Sequence, residues 1–121
     1  MNTSPTADRP QSINPATLAR LWVEDWRAPI CSPLRDMIRS SECDSDGTPT
    51  LAAFERIAAE LNALPPEPAT LRRLWGEGKY APICSPLRDM IRGDECDSDW
   101  NPTAAAFERI AAELKALAQA H

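Results

Sequence analysis

The residues able to do chemistry in this chain are four cysteines, two acidic turns and two arginine pairs, since its sole histidine is the last residue, His121. AspSerAspGlyThr at 44–48 and AspSerAspTrpAsn at 97–101 set carboxylates at alternate positions. As calcium loops they would place Asp44, Asp46, Thr48, Thr50 and Glu55, and again Asp97, Asp99, Asn101, Thr103 and Glu108, at the first, third, fifth, seventh and twelfth places. The sixth place of such a loop needs a positive φ, and here it is Pro49 or Pro102, whose ring forbids it. The simpler expectation is that the carboxylates gather ahead of a helix N-terminus, where the macrodipole favours them, with Thr48 and Asn101 as caps. No metal site is assigned, and divalent-metal binding at these turns stays an alternative.

Eleven residues separate Cys31 from Cys43 and Cys84 from Cys96. A mostly helical spacer of that length spans about 15 Å, beyond the roughly 7 Å between Cα atoms that a disulfide tolerates. Cross-pairs and a four-thiolate zinc site remain open, although no closely set CysXXCys pair is present. In a reducing compartment four free thiols are expected. Cys31 and Cys84 precede a helix start, a place where a thiol pKa can fall. Arg35 with Arg39, and Arg88 with Arg92, are four apart and would share one helix face, either for an acidic partner segment or phosphate or in pairs with Asp36, Glu42 or the acidic turn. With no Gly-rich phosphate loop and no nucleophile beside a base, an enzyme is not expected, and no cofactor is assigned.

The elements that must carry these residues follow from composition and repetition. The 13 Lys and Arg against 18 Asp and Glu give a net charge of −5, which argues against direct nucleic-acid binding. A hydrophobic fraction of 43% dominated by Leu and Ala, with abundant Glu, favours an all-α chain. No apolar window of about 18 residues and no basic or apolar leader is visible, so a cytoplasmic protein without membrane contact is expected. Ala16–Leu64 aligns without a gap on Ala69–Leu117, and 38 of the 49 pairs are identical. We therefore expect a disordered tail over residues 1–14, a three-helix repeat over 15–64, a Pro-rich linker over 65–68 and a second three-helix repeat over 69–121.

Six X-Pro dipeptides propose six helix starts: Asn14-Pro15, Ser32-Pro33, Thr48-Pro49, Glu67-Pro68, Ser85-Pro86 and Asn101-Pro102. Leu51, Phe54, Ile57, Ala58, Leu61 and Leu64 form one apolar stripe, leaving Glu55, Arg56 and Glu60 outside it. A unit of about 49 residues is marginal alone, so the repeats should share a core as a six-helix, pseudo-twofold bundle resembling a fused homodimer.

The mismatches between the repeats point outward. Trp26 and Arg27 stand opposite Lys79 and Tyr80, and Trp100 opposes Gly47, so the shared fold requires neither tryptophan. Trp26, Arg27, Arg35, Arg39, Tyr80, Arg88, Arg92 and Trp100 are the candidate partner-binding residues. The expected function is a non-catalytic protein–protein interaction module, a small acidic adaptor or inhibitor presenting two similar helical faces to a symmetric or repeated partner. An acidic DNA mimic acting on a nucleic-acid-binding target is a further alternative.

Overall fold

Prolines set several of the helix starts in this chain. The computed structural model describes residues 13–120. Asn14 opens helix α1 (Pro15–Asp25): its side-chain oxygen accepts the Ala16 N–H at 2.9 Å, and Pro15 supplies a first residue with no N–H to orphan. Helix α4 (Pro68–Gly78) starts the same way after Glu67, without a side-chain cap. The six-residue helices α2 (Ser32–Met37) and α5 (Ser85–Met90) each follow a 3-10 turn, Pro29–Cys31 and Pro82–Cys84. Two further 3-10 turns, Ser40–Glu42 and Gly93–Glu95, precede the acidic turns and the long helices α3 (Leu51–Asn62) and α6 (Ala104–Gln119). The described residues are all-helical and contain no strand.

Thr48 and Asn101 do not cap the long helices. The N-caps are Thr50 and Thr103, two residues later, and neither side chain bonds its own helix. The backbone stays extended through Pro49 because the turn closes on itself: Asp44 N–H donates to the Thr48 carbonyl at 2.8 Å and Thr50 N–H to the Glu42 carbonyl at 2.9 Å. Pro49 thus sits opposite Cys43, and Pro102 opposite Cys96, in isolated antiparallel bridges that need no N–H from the proline. The Thr50 hydroxyl also turns to the Glu42 carbonyl, at 3.0 Å.

Helix α1 packs on α3, α4 on α6, and the short helices α2 and α5 pack on each other. Helix α3 also meets α5, and α6 meets the turn Pro29–Cys31. Leu18, Leu34, Met37, Phe54, Ile57 and Leu61 join Leu71, Leu87, Met90, Phe107, Ile110 and Leu114 in one connected core. Leu51, placed on the apolar stripe by spacing, is 58% exposed as the first residue of α3, while Ala53 and Phe54 of the same turn are buried. Of the expected disordered tail, Ile13 and Asn14 are ordered: Ile13 is buried, and Asn62 accepts its N–H and donates to its carbonyl, both at 2.8 Å. The rest of that tail, and His121, lie outside the described residues. Among the described residues no helix is long and apolar enough to cross a membrane.

Candidate functional site

The arginine pairs do not share a helix face. Helix α2 ends at Met37, and Ile38 and Arg39 are extended (φ −67°, ψ 133° and φ −107°, ψ 147°), so the 100° per residue that would align Arg39 with Arg35 is lost; Ile91 and Arg92 behave alike. Arg35 Nη1 instead donates to the carbonyls of Trp26 (2.7 Å) and Ala28 (2.9 Å), and Arg88 Nη1 to those of Lys79 (2.7 Å) and Ala81 (2.9 Å). Arg92 reaches across to the Ser32 hydroxyl at 2.9 Å and lies 3.8 Å from Asp36. Arg39 is exposed.

Sequence spacing passes over the strongest ionic feature. Arg56 grips Glu42 through two bonds of 2.6 and 2.7 Å, donates to the Met37 carbonyl at 2.8 Å and reaches Glu60 at 3.2 Å. Arg109 does the same with Glu95, Met90 and Glu113. Hydrogen bonds from these guanidinium groups hold the Glu42 and Glu95 carboxyls below the usual carboxylate range. The one visible signal was an Arg followed four residues later by a Glu, which reads equally well as a solvated pair.

Asp36 and Asp89, on the two short helices packed together, are the opposite case. Oδ2 of each is buried without a hydrogen-bond partner, and burial pushes both carboxyls up, against the nearby arginines that pull them down. All four cysteines are free thiols. Cys31 and Cys84 are buried, and burial raises their thiol pKa, so the expected lowering at a helix start does not occur: the loss of solvent outweighs the nearby arginine. Cys43 and Cys96 point their thiols at the Arg39 and Arg92 carbonyls, 3.6 Å away.

In the acidic turns, Asp44 Oδ1 accepts the N–H groups of Asp46 (2.9 Å) and Thr48 (3.1 Å), and Asp97 Oδ1 those of Asp99 (2.9 Å) and Asn101 (3.0 Å). The carboxylate that would open a calcium loop is thus turned toward its own backbone. No group of three or more His, Cys, Asp or Glu side chains among the described residues is placed to hold a metal ion.

Each turn needs one residue in left-handed conformation. Gly47 takes it at φ 78°, and Trp100 takes it at φ 66°. The Trp100 indole is 75% exposed. Trp26, 44% exposed, lies at the end of α1, stacked on Trp22 at 5.6 Å with the Arg27 guanidinium 4.9 Å over its ring. Trp22 in turn leans on Phe54 of α3, which fixes the stack to the core. Tyr80 is 79% exposed, with Lys79 over its ring at 5.5 Å. A groove of about 450 Å³ runs between the end of α1 and the first acidic turn, lined by Trp22, Val23, Trp26, Asp46, Gly47 and Thr48. Of the candidate partner-binding residues Trp26 alone lines it; Asp46 and Thr48 are candidates only as members of the acidic turn, and Trp22 and Val23 are not candidates. No protein family, curated protein or solved structure matches this chain.

Proposed function

We propose that the protein is a non-catalytic interaction module, a small acidic adaptor or inhibitor built as two fused three-helix units about an approximate twofold axis. The observation that carries this reading is Trp100. A left-handed residue with a Cβ costs roughly 1–2 kcal/mol, and the indole, 75% exposed, gains little from packing in return. Covering it with a partner surface would recover the apolar burial that the isolated chain leaves unused. The stacked Trp22–Trp26 pair, capped by Arg27, offers a second rigid aromatic anchor in the first half. The two anchors stand at different positions of the two halves, so they form two unlike aromatic faces on one body, which can engage one partner together through effective concentration.

Capture of partners from the host cell tests this. Trp26→Ala with Trp100→Ala should abolish capture of the partners that the unaltered protein retains, with the circular dichroism spectrum unchanged. Retention of the same partners by the double variant overturns the proposal.

A further inference from the structure

We infer that the groove between α1 and the first acidic turn binds a basic, partly apolar peptide segment, with aliphatic side chains on Trp22 and Val23 and a Lys or Arg head at Asp46. This deepens the interaction reading and rests on it. Asp46 is the one charged residue lining the groove, and it enters no ion pair among the described residues, where the acidic partners in salt bridges are Glu24, Asp36, Glu42, Glu60, Glu77, Glu95 and Glu113. Its main-chain N–H is tied to Asp44, so the carboxylate is presented from a fixed turn. The neighbouring wall is aromatic and apolar, and Val23 is 79% exposed. The net charge of −5 adds long-range attraction for a cationic segment. Arg27 already occupies a face of Trp26, which directs an incoming cation to Asp46 rather than to that ring.

Only the first half offers this site. At the aligned positions of the second half, Gly76 replaces Val23, Lys79 replaces Trp26, Tyr80 replaces Arg27 and Trp100 replaces Gly47, so the apolar wall is lost and the one cation of this corner moves to the position of the lining ring. A Cβ on Gly47 would meet nothing within 4 Å, which leaves the groove open where Trp100 stands on the other turn. Binding should therefore have a single site per chain.

Isothermal calorimetry of the full chain with a hexapeptide of alternating arginine and leucine is the test. We expect one saturable site, weakened about tenfold or more by Gly47→Trp and by Asp46→Asn, as for loss of an anchor at the centre of an interface. Gly47→Trp is built to fold, because a tryptophan already occupies the equivalent turn position, and a thermal melt checks it. Asp99→Asn, the same carboxylate on the other turn, should leave affinity unchanged. Equal binding of a glutamate–leucine hexapeptide, indifference to Gly47→Trp, or self-association of the free protein that Gly47→Trp abolishes each overturns the inference, the last by seating a second copy in the groove. If the arginine–leucine peptide fails while host partners still depend on Trp26 and Trp100, the cationic assignment falls and the interaction module stands; if both fail, both fall.

Discussion

A tryptophan at φ 66° bears on stability as well as on recognition. Replacing Trp100 by glycine removes about 1–2 kcal/mol of left-handed strain and adds about 0.5–1 kcal/mol of unfolded-chain entropy. Trp100→Gly should therefore raise the unfolding free energy by roughly 0.5 kcal/mol, the balance of those two effects, while removing an anchor. Urea unfolding checks it, and a clear loss of stability would mean that the indole packs. The aspartates at the α2–α5 contact are a second residue-level lever. Burial raises the Asp36 carboxyl, so the folded state holds this proton more tightly than the unfolded state does. Its contribution to stability is complete below the unfolded value of about 3.9 and is lost as pH rises through the folded value. The charges facing it are Arg35 on its own helix, Asp89 on α5, Arg92 just beyond α5 and Arg109 on α6. Asp36→Asn should accordingly raise the melting temperature at pH 7 and leave it nearly unchanged at pH 3, as thermal melts at the two values would show. Glu42, held low by Arg56, works in the opposite direction: its contribution is present above about 4.3 and fades as pH falls through the folded value.

Among the elements, the long helices were legible because their buried positions recur at three and four residues: Phe54, Ile57, Ala58 and Leu61 are buried as their spacing requires. Asn14-Pro15 was legible too, since a capping side chain and a ring-locked φ both act within one turn. Thr48-Pro49 carried the same local signature and misled, because the deciding bond runs from Thr50 to the carbonyl of Glu42, eight residues back. The connection between α2 and α3 failed for a related reason. Arg39 looked like the next helical neighbour of Arg35, but the chain leaves helix at Ile38, where the Arg56 guanidinium from α3 takes the Met37 carbonyl. Arg56 and Arg109 each fasten a long helix to the end of a short one through contacts 14 and 19 residues apart, beyond any periodicity argument. The groove was illegible likewise: Trp22 and Asp46 are far apart in sequence, and only the packing of α1 on α3 brings the acidic turn alongside.

For the whole molecule, the single connected core sets how divisible the chain is. Leu34 and Met37 share it with Leu87 and Met90 across the paired short helices. A chain ending at Leu64 would expose that surface, and at this size an isolated unit buries only about 60% of what its unfolded chain exposes. We expect it to lose helical circular dichroism or to dimerise in size-exclusion chromatography; a stable folded monomer would contradict the dependence of one half on the other. The corner after the first helix in each half is held differently from the core. Arg35 and Arg88 grasp carbonyl oxygens at 26, 28, 79 and 81, atoms that every amino acid possesses. The identity of the side chains there is consequently free to drift, and selection for a new binding preference can rewrite those corners without renegotiating the architecture beneath them.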